Sequence, residues 1–381
     1  MKNHQNRQFV FGIDANEANL TAKRVGSNQF AFGLLKALYK IDKKNKYVIY
    51  LSSPLKKDLP AARRNWSYRV IPPPKFWTQW RLPLDLYFHQ PRPDVFLSLS
   101  HYGPRFSPVP NVVTVTDLGF LKFPEQFLTK DLWQLTNWTR YSVRKATHLV
   151  AISEFTKKDI IKFYNSPSEK ISVVYPSYDE KEFYPINEKR AGETLKKYHL
   201  KRPYLFFIGS LKPSKNLERL IEAFSLLENK NLNLVIAGKK AWLYKNIFQK
   251  VNELKLDPRF VDLEKRVIFT GFVAEDDVPI LMSQAEVFVL PSLYEGFGMP
   301  VIEAMACGAP VVVSNTASLP EVAGDAAVIV NPYDVKSIAS GIKKAIAQKE
   351  FLIKRGFIRA KLFSWRISAE KTVEILEKFS R

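Results

Sequence analysis

Short apolar runs alternate with longer amphipathic stretches along the whole chain. Residues 9–13 form an apolar run of strand length, 27–40 place Phe30, Leu34, Leu35 and Leu38 at helical spacing, and 47–51 return to a strand pattern. Further strands are expected at 95–99, 112–115, 149–152 and 171–174, with helices at 131–145 and 154–164. The prolines at 72–74 and at 104–110 interrupt the alternation and read as loops. A polar, proline-bearing stretch at 175–190 reads as a linker, after which the alternation restarts. Strands are expected there at 204–208, 232–237, 267–270, 287–290, 311–313 and 327–330. Helices are expected at 217–227, 242–254, 277–285 and 335–347, with another opening near Pro300. Strands separated by helices imply an α/β chain whose parallel sheets are covered on both faces. Two such sheets are expected to wall a ligand cleft, with domains at 1–180 and 181–365 and a last helix, 366–381, returning towards the first domain. The linker and the helix at 367–379 are the expected hinges.

Composition narrows the class. The chain has 381 residues, 46% hydrophobic and 13% aromatic, which suits a sizeable core and excludes a disordered tail. No apolar stretch approaches the roughly 18–20 residues of a membrane-spanning helix. The N-terminus, MKNHQNRQFVFGID, lacks the apolar segment of a secretory signal, so a cytoplasmic protein is expected. A single cysteine, Cys307, excludes an internal disulfide and fits a reducing compartment. His4, His89, His101, His148 and His199 are scattered without partners of ligand type, which argues against zinc.

Charge adds a partner. The 58 Lys plus Arg exceed the 37 Asp plus Glu and leave a net +21. The stretch before Pro185 is the more basic, with 28 basic and 15 acidic residues against 30 and 22 from there onward. Basic residues mix with aromatics at Arg63, Arg64, Trp66, Tyr68, Arg69 and again at Lys75, Phe76, Trp77, Trp80, Arg81. Such groups serve as solvated charges beside core aromatics, or as a surface lying on anionic lipid headgroups. Nucleic acid is disfavoured, because no zinc-finger, RNP-type or KH-type signature accompanies the charge.

The richest segment for chemistry is 291–310, PSLYEGFGMPVIEAMACGAP, with Glu295 and Glu303 eight positions apart and Gly296, Gly298 and Pro300 between them. In one continuous helix these carboxylates would lie about 80° apart. The glycines and the proline instead place the helix start near Pro300, with Glu295 in the preceding loop and Glu303 in the first turn. The glycines let backbone N–H groups approach a ligand, and a helix N-terminus favours phosphate. Carboxylates in such a place suit sugar or ribose hydroxyls; the plainer alternative is a Gly-rich turn in which Glu303 only complements the helix dipole.

This segment resembles the E-x7-E signature of family 4 glycosyltransferases, retaining enzymes of GT-B fold with two Rossmann-like domains. The similarity extends to FTGFV at 269–273, LFFIGSLKPSKNL at 205–217, SLPEVAG at 318–324, ISEF at 152–155 and the stretch 24–38. The resemblance implies that the first domain binds the acceptor and the second the nucleotide sugar. By it, Glu295 holds donor-sugar hydroxyls, Glu303 holds the ribose, and Lys215 pairs with the diphosphate and stabilises the leaving group. Gly296, Phe297 and Gly298 would offer main-chain donors to the sugar, and Val301 would lie at the diphosphate. Gly209, Ser210 and Lys212 belong to the phosphate loop, Gly271, Phe272 and Val273 lie beside the base, and Gly26 and Ser27 face the donor phosphates from the first domain. Two departures stand out. Ser214 and Ser210 occupy frequent arginine positions, leaving Lys212 as a substitute cation, and the family's His-Asp pair on the acceptor side is Thr116-Asp117. Sequence proximity alone does not transfer the histidine's role to His101.

The same likeness implies no metal and no cofactor, with a GDP- or UDP-sugar as substrate. Glu275, Asp276 and Asp277 fit an ordinary helix start. A saccharide or lipid-linked saccharide is the expected acceptor, at the inner face of a membrane. The rival readings are a weakly active relative serving as a membrane- or polyanion-binding scaffold, and a sugar-nucleotide epimerase of similar fold.

Overall fold

The computed structural model describes residues 7–20, 24, 26–241, 243–255 and 262–380. The chain divides into two compact units: Met1–Pro124, Leu128–Ser177 and Ser364–Arg381 form the first, Glu125–Phe127 and Tyr178–Phe363 the second. The first holds seven parallel strands: β1 (Val10–Asp14), β2 (Lys46–Leu51), β3 (Trp66–Val70), β4 (Val95–Ser98), β5 (Asn111–Val115), β6 (His148–Ala151) and β7 (Ile171–Val173). Their order is β3-β2-β1-β4-β5-β6-β7. Every residue of β4, β5 and β6 is buried, and since successive side chains point to opposite faces, both faces of the sheet centre are covered.

At the sheet edge the pattern weakens, and that is where the sequence-based expectation misses a strand. Edge strand β3, WSYRV, buries only Trp66 completely. Its register is pinned by an aromatic ladder, Phe11 opposite Tyr47 and Tyr47 opposite Trp66, with ring centroids 5.4 and 4.7 Å apart. The basic side chains around it are used inside the fold: Arg63 bonds the carbonyls of Tyr39 and Asp42, and Arg69 lies 2.7 Å from Asp85. Apart from the exposed Arg64, this first basic and aromatic group therefore belongs to the framework.

The second unit holds β8 (Tyr204–Ile208), β9 (Asn233–Ala237), β10 (Val267–Gly271), β11 (Val287–Leu290), β12 (Val311–Ser314) and β13 (Val328–Val330), all parallel, in the order β10-β9-β8-β11-β12-β13. Both sheets share one logic. From the first strand the order runs to one side, then restarts on the other, so the direction of strand addition reverses between β1 and β4 and between β8 and β11. Loops leaving the carboxyl ends of such a strand pair diverge and open a crevice for ligands.

Elsewhere the structure adds elements to those expected and adjusts their bounds. Behind the prolines at 72–74 the chain forms helical turns at Trp77–Arg81 and Leu82–Phe88, because Trp77, Leu82 and Leu86 find a core beside Tyr50, Phe96 and Val109. The expected linker 175–190 ends in the helix Glu188–Lys197, whose N-cap Asn187 accepts the Arg190 amide. The final helix, Trp365–Phe379, lies in the first unit against the helix Ser27–Ile41, with the Phe30 and Trp365 rings 6.0 Å apart. Of the helix expected at 242–254, Trp242 lies outside the described residues, as does His4. Among the described residues no helix is long and apolar enough to cross a membrane.

Candidate functional site in the second unit

The loop after β8 carries Gly209, Ser210, Leu211 and Lys212, then a tight turn, Pro213–Lys215, and Asn216 in the left-handed region at φ 59°. The helix Leu217–Ser225 follows. From β11 the chain enters the 291–298 turn, and the helix Met299–Ala306 begins after Gly298 at φ 94°. These two loops leave adjacent strands, and they meet. Lys215 Nζ lies 2.5 Å from Glu295 Oε1, with the two side chains only 15% and 14% exposed. A lysine at a helix start needs a negative partner. Glu295 supplies it here.

The contact is held by buried polar bonds that no local pattern foretells. The Leu293 amide donates to the Ser214 carbonyl at 2.8 Å. Asn216 Nδ2 donates to the carbonyls of Pro291 at 3.1 Å and Pro332 at 2.7 Å. Ser318 Oγ lies 2.9 Å from the carbonyl oxygens of both Glu295 and Phe297, and so shapes the turn between them. Asn216→Ala strands two buried carbonyls and is expected to cost about 2–3 kcal/mol, read as a lower urea midpoint with unchanged slope.

Gly298 is required where it stands, because a Cβ would fall 2.7 Å from Leu319 Cδ2. The left-handed turn at Gly298 starts the helix at Met299, so Glu303 lies past the first turn, correcting its expected position. The Val301 amide donates to the Gly298 carbonyl at 2.9 Å, so the helix-end contact assigned to Val301 is already satisfied internally. The Phe297 ring packs edge-on against Phe363 and is buried, so its side chain belongs to the core. Glu303 is buried, and no hydrogen bond reaches its carboxylate among the described residues. Burial first, then the Glu182 charge, push its pKa up to about 8.

Neighbouring strand ends are pared to glycine. Gly209, Gly238 and Gly271 follow or close β8, β9 and β10, and Gly238 (φ 142°) sits so close to Gly209 that a Cβ would fall 1.8 Å from its carbonyl oxygen. Gly238 was not singled out from sequence; its signal is a glycine closing the apolar run LVIAG. Ser210 and Lys212 flank Leu211, which bridges to Lys240. Val273 is buried, while Phe272 carries Lys239 Nζ 4.9 Å from its ring centre. Asp277 bonds Lys197 and Tyr198, in keeping with a structural acidic turn.

In the first unit, the corresponding loops follow β1 and β4. Gly26 (φ 55°) precedes the helix that Ser27 begins, and the Asn28 side chain bonds Glu17. Asp14 closes β1, and burial raises its pKa to about 7. His101 Nε2 lies 3.0 Å from Thr116 Oγ1. Burial lowers the imidazole's pKa, so the ring is neutral near pH 7. Its Nδ1 has no hydrogen-bond partner among the described residues. Asp117 Oδ1 accepts the Gly119 amide at 2.9 Å. The fold thus brings to Thr116 a histidine that sequence proximity could not assign.

Comparison with known proteins places this arrangement. The model described as "Glycosyl transferases group 1" matches residues 193–356, and "Glycosyltransferase Family 4" matches 29–182. The chain is 31% identical to O-antigen chain mannosyltransferase B of Escherichia coli over 285 residues, 72% of each protein. It is 32% identical to O-antigen chain mannosyltransferase RfbU of Salmonella typhimurium over 61% of this chain and 59% of that one. The structure of Anabaena Alr3699/HepE in complex with UDP-glucose superposes with a TM-score of 0.72 at 18% identity, covering 97% of this chain and 99% of that one. The chain belongs to the group 1, family 4 glycosyltransferases and has their GT-B fold.

Proposed function

We propose that this glycosyltransferase moves a mannosyl group, with retention, from a nucleoside diphosphate sugar to a hydroxyl of a saccharide or lipid-linked saccharide at an anionic membrane surface on the cytoplasmic side. The observation that carries the reading is the Lys215–Glu295 pair at the reversal point between β8 and β11. Two relatives named as O-antigen chain mannosyltransferases support mannose and a polysaccharide acceptor, and a structural neighbour holding UDP-glucose supports a nucleotide sugar. GDP is the preferred base, with UDP the alternative.

The chemistry follows from the residues. An arriving diphosphate competes with Glu295 for the Lys215 ammonium; as it takes that charge, the Glu295 carboxylate is released to accept bonds from sugar hydroxyls. Glu303 accepts from the ribose hydroxyls, and the backbone of 296–298 lies against the sugar. The bond between the anomeric carbon and the diphosphate oxygen breaks as the acceptor oxygen attacks from the same face. The departing phosphate oxygen takes the acceptor proton, so no protein nucleophile is needed. Charge neutralisation is assigned to Lys215, without a metal. Neutral His101, bonded to Thr116, would orient an acceptor hydroxyl, with Asp117 nearby. Scaffold and epimerase readings lose ground to the family match.

Isothermal calorimetry with GDP-mannose, GDP-fucose, UDP-glucose and ADP-glucose tests this directly. GDP-mannose is expected to bind at least tenfold tighter than the others. Equal binding of all four, or release of free mannose without transfer to any saccharide, would remove the reading.

A further inference from the structure

The second basic and aromatic group has a different fate from the first. Trp77, Leu82 and Leu86 turn inward to the core around Tyr50, Phe96 and Val109. On the same helical segment Trp80, Leu84, Tyr87 and Phe88, spaced four, three and one residues apart, point outward. Trp80 is 61% exposed and Phe88 81%. Phe76 and Phe106 extend this apolar face: both are exposed, and the Arg105 amide bonds Thr78 while its guanidinium bonds Gln79. Phe76 leans on Trp138 and Phe106 on Tyr141, while Trp80, Leu84, Tyr87 and Phe88 stay exposed; a segment apolar on two sides, one of them left largely open, is built to be covered.

Charge says by what. Between residues 59 and 116 there are seven basic residues but only two acidic ones, Asp85 and Asp94. Both acids are engaged with the framework: buried Asp85 faces Arg69 and His89, and Asp94 accepts the Val10 amide at 2.7 Å and pairs with Arg7. Lys75, Arg81 and Arg92 remain exposed around the aromatic stripe. Exposed aromatics rimmed by unopposed cations match the apolar-to-anionic boundary of a lipid leaflet, where rings enter the interface and cations meet phosphates.

We infer that the face formed by Phe76, Trp80, Leu84, Tyr87, Phe88 and Phe106 is the surface on which this protein docks to an anionic bilayer. The inference rests on the membrane reading proposed above and names its surface. Co-sedimentation with vesicles of phosphatidylcholine alone, and of phosphatidylcholine mixed with phosphatidylglycerol, tests it. The protein is expected to bind the anionic vesicles and not the neutral ones. Trp80→Ser combined with Leu84→Ser and Phe88→Ser should raise the lipid concentration for half-binding about tenfold, and Lys75→Glu with Arg81→Glu should do the same. These side chains stand outside the core and the donor site, so thermal midpoint and donor affinity serve as controls for folding. If the parent binds anionic vesicles and the apolar variant binds them equally well, this surface is wrong while the membrane reading stands. If the parent ignores both kinds of vesicle, both fall. If an oligonucleotide displaces the parent from vesicles and the apolar variant still binds like the parent, the face is a polyanion site and the proposal is overturned.

Discussion

Lys215→Ala is expected to lower kcat/KM for sugar transfer by about 10²–10³-fold, the effect of removing one charged group aimed at a leaving oxygen in a mostly buried site. Most of the loss should fall in kcat, because the negative charge on the diphosphate grows as the glycosidic bond breaks. The variant also leaves Glu295 without its 2.5 Å partner, so stability should drop by about 1–3 kcal/mol, less than for a fully buried pair because some water reaches both groups. These two effects separate in the double variant. Lys215→Met with Glu295→Gln removes both charges and should recover most of the stability while activity stays low. Steady-state kinetics beside urea denaturation of the single and double variants checks this. Transfer by Lys215→Ala within threefold of the parent would end the assignment.

Removing the Glu303 charge should change how stability depends on pH. Its pKa is raised from 4.5 to about 8, chiefly by burial and then by Glu182. Below about pH 4.5 the group is protonated in both the folded and unfolded chain and is neutral towards stability. Between about 4.5 and 8 the unfolded chain releases this proton while the folded chain keeps it, so stability falls as pH rises. At 1.36 kcal/mol per pH unit the loss reaches roughly 4 kcal/mol by pH 8 and then levels off. Glu303→Gln keeps the shape and cannot ionise. Its thermal midpoint should match the parent near pH 4 and exceed it increasingly up to pH 8, with the difference isolating Glu303 from other titrating groups such as Asp14. Parallel curves for the two proteins from pH 4 to 8 would show that the carboxylate is not held in this way. Above about pH 8, where the parent's group is a carboxylate, the same variant should bind donor more weakly, since an amide accepts the ribose hydroxyls less strongly.

Much of this could be read along the chain. The strands at β4, β6, β8, β11 and β12 announce themselves because they are buried on both faces and read as unbroken apolar runs. β3 does not, since an edge strand keeps polar positions. The helical turns Trp77–Arg81 and Leu82–Phe88 were hidden because two apolar faces blur helical periodicity, and the neighbouring prolines pointed to a loop. Within the site, Glu295, Glu303 and Lys215 stood out by residue type, spacing and family likeness. Asn216 and Ser318 did not, because their work is to bond carbonyls far away in sequence, and nothing local marks a side chain for that task.

The amino-acid sequence by itself determined the βα alternation, the glycine-bearing turn after β11 and the excess of positive charge. These depend on hydrophobic period, on the backbone freedom of glycine and proline, and on counting, all local quantities. Only the tertiary structure decided what meets what. Strand order puts β8 beside β11, so Lys215 finds Glu295 across 80 positions, and it puts β4 beside β5, so His101 reaches Thr116. It also turned Trp66 and Trp77 into the core and left Trp80 outside. The reason is that periodicity states how much of a segment must be buried, whereas which partner buries it is set by the packing of all the segments together.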